Sequence, residues 1–444
     1  MKLAVVGAGW AGCSAAVEAT RLGHQVSLFE TTRHAGGRAR RVDVSHAGKT
    51  LALDNGQHIL IGAYTETLKL MNALGVDPEA NLLRTPLSMQ FPDGTGLRLP
   101  DLPAPLDAMV GIFTARGWSL SDKFSLIRAS LGWQMRKFQC APQLSVAELC
   151  KAVSATVMRT LIEPLCVAAL NTPAERASAQ VFLRVLQDAL FSVSGASNLL
   201  LPKADLGALL PDAALAWLQQ NGAQVRLGNR VQSILPAALN GWELSGDAFS
   251  GIKAADTLGT FDQVILACPP TEAARLVKHC GLPCETWLNQ ALSLQHEAIA
   301  TVYARSAGTR LKQAMLALAS TESWPAQFVF DRGQLGGPAG LLAFVISAST
   351  GDSATLARQV MAQANAQLGL DNLQVLQTIV EKRATFACSP GLQRPQQQVA
   401  SGLFACGDYV DGPYPATLEG AVRSGLEVAR QLSMSFDDRL DAGD

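Results

Sequence analysis

The chain opens on a strand, a glycine turn and a helix whose spacing leaves room for little but a nucleotide-binding βαβ unit. Lys2-Leu3-Ala4-Val5-Val6 reads as a buried strand and Ala11 to Leu22 as a helix. Between and within them stand Gly7, Gly9 and Gly12, in a Gly-x-Gly-x-x-Gly pattern. Gly7 permits the tight turn, Gly9 lets the backbone approach a pyrophosphate, and Gly12 lets the helix lie close on the sheet. The helix N-terminus then aims its unpaired N–H groups at phosphate. Gln25 to Glu30 forms the next strand, and seventeen residues separate Gly12 from Glu30. That carboxylate is placed for the hydroxyls of an adenosine ribose.

A second element near the C-terminus narrows the cofactor to FAD. Leu403 to Cys406 is a short apolar strand, and Gly407-Asp408 follows it. Asp408 suits a ribityl or phosphate-linked hydroxyl. Thr417 to Gly425 reads as a helix that starts at the flavin, with Thr417 and Leu418 foremost. Its dipole would stabilise negative charge on the N1–C2=O edge of reduced flavin. Beyond Glu30, Gly36-Gly37-Arg38 resembles the motif that follows this acid in the amine oxidase and phytoene desaturase superfamily. There the paired glycines bring the loop close to the cofactor, and the arginine places a cation near the phosphates.

Length and composition set outer bounds. A chain of 444 residues has room for two or three domains, and 48% hydrophobic residues supply a large core. The net charge of -1 carries no basic excess for nucleic acid. Nine cysteines follow no metal-ligand spacing, and Cys280 and Cys284, the nearest pair, read as buried thiols. An odd count without a disulfide framework points to the cytoplasm. The apolar N-terminus is consumed as a strand rather than a secretory leader. No apolar run reaches eighteen residues, so the protein is expected to be soluble or peripheral on the inner face of a membrane.

The halves of the flavin site are separated by most of the sequence. The expected fold is therefore α/β, with a discontinuous Rossmann-like FAD-binding domain of the glutathione-reductase type and an inserted α+β substrate domain. Residues 1–89, 196–279 and 391–444 are assigned to the first, and 90–195 and 280–390 to the second. Helices are expected over Ser121 to Phe138, Ser145 to Ala169, Ala213 to Gln220 and Thr355 to Leu368. Strands are expected over Gln224 to Leu227, Asn229 to Ile234, Phe261 to Pro270 with a proline turn at its end, Ala298 to Ala304 and Leu341 to Ser347.

Four stretches carry a more specific resemblance: Leu53 to Tyr64, with Asn55, Gly56 and His58; Pro164 to Pro173, with Asn171; Leu199 to Gly207; and Gly407 to Thr417. Together they resemble the bacterial hydroxysqualene dehydroxylases, also called squalene-associated FAD-dependent desaturases, of hopanoid biosynthesis. The resemblance runs from Met1 to about Leu432. It implies that Asn55 and Gly56 belong to the cofactor loop and that a residue like Val231 lends backbone groups to the adenine. It also implies the reaction: hydroxysqualene loses its hydroxyl, a hydride arrives from reduced FAD, and squalene is formed.

The chemistry needs a donor held about 3–3.5 Å from the reacting carbon and an acid for a poor leaving group, worth about 10²–10⁴-fold. The candidates are His58 and Asp411 as proton source, with Tyr414 orienting the hydroxyl. A C30 polyene already dissolved in lipid gains little by moving into an apolar tunnel, so tunnel shape and the polar end-point must discriminate. The tunnel should then meet the membrane. Phe124, Ile127, Leu131, Met135 and Phe138 form an apolar stripe beside Lys123, Arg128, Arg136 and Lys137. This reads either as an interfacial helix or as a core-facing one.

Two other functions stay open. A desaturase or amine oxidase of the same superfamily would run hydride the other way through the same motifs. A non-enzymatic prenyl-lipid carrier would share the fold, but Glu30, Arg38 and Asp408 argue for a working flavin site. The electron donor, the oligomeric state and any contact with upstream squalene-pathway enzymes leave no mark in the motifs.

Overall fold

The computed structural model describes residues 1–46, 48–190, 194–238, 240–248 and 256–441. Strand β1 (Lys2–Val6), helix α1 (Trp10–Arg21) and strand β2 (Gln25–Glu30) form the expected unit. β1 and β2 are parallel, in register from Lys2 opposite Gln25 to Val6 opposite Phe29. The turn between β1 and α1 demands its glycines. Gly7 has φ +111°, and a Cβ there would stand 2.5 Å from the Ala267 carbonyl oxygen. A Cβ on Gly12 would stand 1.9 Å from the Gly7 carbonyl oxygen. Neither position accepts a side chain.

The hairpin β3 (Arg41–His46) and β4 (Lys49–Asp54) then delivers the chain to the Asn55–His58 loop. Helices α2 (Leu106–Thr114) and α3 (Leu120–Met135) follow. A reciprocal cap between Ser119 and Asp122 starts α3, and positive φ at Lys137 and Phe138 ends the run. The single helix expected over Ser145 to Ala169 is instead broken into Val146–Leu149, Ala155–Val157, a π turn at Met158–Ile162 and α4 (Glu163–Leu170). The cause is local. Ser145 caps the first piece where the helix was expected to start, and Ser154, whose side-chain oxygen accepts the Val157 N–H, begins a new helix inside the range. Asn171, left-handed at φ +46°, ends α4.

The remaining elements that shape the site are β5 (Gln224–Leu227), β6 (Gln263–Leu266), β7 (His296–Arg305), β8 (Phe328–Asp331), β9 (Leu341–Ile346), β10 (Gln374–Phe386), β11 (Leu403–Ala405) and α5 (Leu418–Asp441). One sheet runs β5-β2-β1-β6-β11, all parallel, with Gln398–Ala400 antiparallel at the edge. Its strands come from three distant parts of the chain, so the residues between them must leave and return. A second sheet is antiparallel, with Met315–Ala317, β8, β9, β7 and β10 in that order.

The two sheets share one core. Phe29 and Leu266 beneath the parallel sheet belong to the same apolar cluster as Trp133, Leu161, Phe182 and Phe328. The other face of the antiparallel sheet is covered by the helix Ser353–Leu368, which sets Leu356, Val360 and Ala364 against Val302 and Phe344. On this topology we propose the division of the chain into 1–89, 196–279 and 391–444, carrying the parallel sheet, and 90–195 and 280–390.

Candidate active site

A cavity of about 520 Å³ lies between the parallel sheet and the second sheet. It gathers the glycine turn (Gly7, Gly9), Glu30, the loop Gly36-Gly37-Arg38, Asn55, Gly56 and His58. From elsewhere in the chain come Val231, Gly407, Asp408, Thr417 and Leu418. Fourteen of the residues singled out from sequence therefore meet around one space.

At one end the cavity is lined by backbone N–H groups and a carboxylate, a set that would suit phosphates and sugar hydroxyls. Gly9 is the N-cap of α1 and offers no side chain to its first turn, and the first helical bond runs from the Cys13 N–H to the Gly9 carbonyl at 2.9 Å. The N–H groups ahead of it carry the positive end of the helix dipole. The Gly36 N–H donates to the Ala8 carbonyl at 2.8 Å, which lays the second glycine loop against the first. Glu30 accepts the Ala8 N–H at 2.9 Å on one oxygen, and the Thr32 N–H and hydroxyl at 2.8 and 2.9 Å on the other. The oxygen that accepts the Ala8 N–H has a further lone pair. Glu30 thus braces the turn while facing the cavity.

Arg38 and Asp408 close the middle. Arg38 donates to the Asp408 carboxylate at 2.5 Å and to the Ala384 carbonyl of β10 at 2.7 Å. Burial works against the Arg38 cation, but Asp408 outweighs it and its pKa lies above the ordinary value. Behind them Thr417 Oγ1 accepts the Gly420 N–H at 2.9 Å and caps α5. Glu419, fully buried, accepts the Glu66 and Thr67 N–H groups at 3.0 and 2.9 Å and pairs with Arg423. Helix α5 is thereby held with its N-terminus at the cavity.

These residues fit FAD on an observation independent of motif. A Cβ on Gly9 would meet nothing within 4 Å, which leaves space where a dinucleotide must approach.

The other end of the cavity is apolar. Val167, Ala168 and Ala169 of α4 face it, with Ile299, Phe328, Phe330 and Val345 from the antiparallel sheet. Asn171 fixes this wall. Its amide donates to the Thr385 hydroxyl at 2.9 Å, and its side-chain oxygen accepts the Ala348 N–H at 2.6 Å. His58 lies in the lining with Nδ1 2.7 Å from the Gly56 carbonyl. Burial pushes its pKa below the ordinary value; the Gly56 hydrogen bond opposes this and the Arg38 cation adds to it. The imidazole is therefore neutral near pH 7, with the Nδ1–H donating to Gly56 and Nε2 an acceptor.

Three residues singled out from sequence stand outside the lining. Gly12 serves the packing of α1 on the turn rather than the ligand. Asp411 is largely exposed and pairs with Arg394 at 3.2 Å. The Tyr414 ring lies beside the guanidinium groups of Arg184 and Arg423, at 6.0 and 4.8 Å, with its hydroxyl engaged by Asp188. Asp411 lies outside because the Arg394 guanidinium, bonded also to the Val410 and Gly412 carbonyls, turns that loop to the surface. Sequence reading in turn missed Tyr409, Tyr64, Glu381 and Thr385, all in the lining. Tyr409 directly follows Asp408 and Tyr64 closes the Leu53 to Tyr64 stretch, so both positions were available; Glu381 and Thr385 arrive through tertiary folding alone. All nine cysteines are free thiols. Among the described residues no group of three His, Cys, Asp or Glu side chains is placed to hold a metal, and no helix is long and apolar enough to cross a membrane.

Comparison with known proteins bears on the same residues. The model of the flavin containing amine oxidoreductases matches residues 10–433. The chain is 27% identical over 441 residues to a hydroxysqualene dehydroxylase of Rhodopseudomonas palustris, with 96% of each covered. It is 25% identical over 452 residues to one of Sinorhizobium fredii, again with 96% of each covered. An oxidoreductase of Methanosarcina mazei shares the fold at a TM-score of 0.70 and 17% identity, over 97% of this chain and 100% of its own. From cradle, match and fold together, the chain belongs to the flavin-containing amine oxidoreductase family and is an FAD-dependent oxidoreductase.

Proposed function

We propose that this enzyme removes an allylic hydroxyl from a C30 isoprenoid, turning hydroxysqualene into squalene in a hopanoid pathway. The observation that carries the reading is the apolar wall of Val167, Ala168, Ala169, Phe328 and Phe330 in the same cavity as the dinucleotide cradle. Small residues on α4 leave width for a prenyl chain, and the phenyl rings opposite supply a surface for its double bonds. The full-length similarity to two proteins named hydroxysqualene dehydroxylase supports the same substrate class. When bound, FAD supplies the hydride.

The chain's own groups then bind, orient and keep water out. The apolar wall takes the tail and excludes solvent from the carbon that must become electrophilic. Neutral His58, its Nδ1–H already given to Gly56, offers Nε2 as an acceptor for a hydroxyl. On this reading His58 only holds and orients the hydroxyl, and the proton with which that hydroxyl leaves as water reaches it from solvent rather than from a resident imidazolium. Asp411 and Tyr414 act at a distance, through the Arg394 and Arg184–Arg423 clusters that hold the loop before α5. A substrate that partitions into lipid supports a cytoplasmic enzyme working at the surface of a membrane.

The test is anaerobic. Photoreduced enzyme is mixed with hydroxysqualene, the oxidised-flavin absorbance near about 450 nm is followed, and the lipid is extracted. Reoxidation with squalene formed is the expected result. Flavin that stays reduced until oxygen is admitted overturns the reading. The search would then turn to polyenes and amines that bleach the oxidised enzyme, as a desaturase or amine oxidase requires.

A further inference from the structure

The exposed apolar surface of this protein is not scattered. Of fourteen large hydrophobic residues exposed among the described ones, nine fall between Leu102 and Met135. On α2, Leu106, Met109 and Phe113 are each more than half exposed and lie on one helical face. The opposite face carries Gly111, where a Cβ would stand 2.5 Å from the Leu99 side chain. On α3, Phe124, Leu131 and Met135 are 62%, 54% and 85% exposed, while Leu126 and Trp133 turn inward. The apolar stripe read from sequence thus divides: Phe124, Leu131 and Met135 face out, Ile127 is half-buried, and Phe138 is buried. The two helices adjoin where Lys123 Nζ donates to the Phe113 carbonyl at 2.7 Å.

Charge says what covers this face. Residues 106–137 hold five cations (Arg116, Lys123, Arg128, Arg136 and Lys137) and two acids, whereas the whole chain has a net charge of -1. Both acids are spoken for: Asp107 is buried, and Asp122 caps Ser119. An apolar face rimmed by lysine and arginine fits an interfacial helix pair, with side chains in the acyl boundary and cations at anionic headgroups. Like charge disfavours the alternative, since a symmetric second copy would bring the same five cations against themselves. The mounting is also informative. The Trp118 indole N–H donates to the Thr160 hydroxyl at 2.9 Å, and Thr160 lies in the π turn that runs into α4, the apolar wall of the cavity.

We propose that α2 and α3 dock the enzyme on an anionic bilayer surface and set the α4 wall of the cavity beside it. This docking face is independent of which substrate the cavity takes. The test uses FAD-loaded full-length protein sedimented with vesicles of phosphatidylcholine, with or without phosphatidylglycerol. Binding to the anionic vesicles should exceed binding to neutral ones by at least about tenfold and weaken with salt. The variants F113E/F124E and R128Q/R136Q/K137Q, with flavin absorbance retained, should each bind at least about tenfold less.

Equal binding by wild type and both variants overturns the proposal. So does absence of sedimentation, or a dimer in light scattering that L131E dissociates. Turnover of detergent-dispersed hydroxysqualene is measured in parallel and should be unchanged in the variants. Vesicle binding without turnover would remove the substrate reading and leave the docking face standing.

Discussion

Arg38 and Asp408 are 370 residues apart in sequence and meet at 2.5 Å across the middle of the cavity. One arrives on the loop after Glu30, the other at the end of β11. Neither half of the site is complete until the chain between them has folded. The pair joins the two cofactor elements, and Arg38 reaches on to the Ala384 carbonyl of β10, in the antiparallel sheet. Removing Asp408 leaves the half-buried Arg38 cation without its carboxylate partner. Asp408→Ala is therefore expected to weaken FAD binding by about 2 kcal/mol or more, at least on the order of thirty-fold. Fluorescence titration of apoprotein with FAD checks this, and affinity within about threefold of wild type would show that the pair is not needed.

Two glycines of one motif should fail in different ways. A Cβ on Gly12 meets the Gly7 carbonyl at 1.9 Å, and backbone has nowhere to move. Gly12→Ala should cost about 3 kcal/mol of stability or prevent folding. A Cβ on Gly9 meets nothing within 4 Å of protein, so Gly9→Ala should melt within about 1 kcal/mol of wild-type apoprotein. The added methyl would instead occupy cofactor space. Thermal melts with and without added FAD separate the two: Gly9→Ala keeps its apo melt and loses the FAD-dependent rise.

What was legible in the sequence was what depends on neighbours in sequence. The β1–α1–β2 unit is set by apolar runs and by glycines where a side chain would strike backbone. The break in the long helix after Ser145 was also local, yet the Ser154 cap was outweighed by apolar spacing. The position of Asp411 was not legible. A carboxylate three residues after Asp408 looks equally close to the cofactor until the Arg394 guanidinium is seen to hold it. The same holds for Phe124. Its place on an apolar stripe cannot say whether it faces the core or the surface until Trp133 is found filling the core side.

Stability should depend on pH through Asp54. Burial pushes this carboxyl up to about 6; the Leu206 N–H at 2.8 Å, Arg332 and Arg41 act against the shift, and Asp205 adds to it. The unfolded chain titrates it near 3.8, so between these values the folded state binds the extra proton. Stability from this group is full at low pH and is lost as pH rises through about 6. The loss approaches about 3 kcal/mol for a shift of about two units. Asp54→Asn keeps an oxygen for the Leu206 N–H without the charge. It should match wild type near pH 4 and exceed it by about 2 kcal/mol at pH 8. Urea unfolding at the two pH values decides, and an equal difference at both would exclude Asp54 as the source.

His58 and Asp411 give the sharpest separation of roles. Asp411 is exposed and engages Arg394, so Asp411→Asn should keep turnover within about twofold and stability within about 1 kcal/mol. His58 lines the cavity as a neutral ring, with burial the chief cause of its depressed pKa. If it orients the substrate hydroxyl, His58→Gln should lower turnover by about tenfold or more while FAD stays bound. Wild-type single-turnover rates should then not rise as pH falls from 8 to about 6, because imidazolium is not the working form. A rate that climbs through that range in wild type and is flat in His58→Gln would instead make His58 the acid. The pH profile matters more than the loss of rate, since any damage to the cavity wall slows turnover but only a titrating acid leaves that limb.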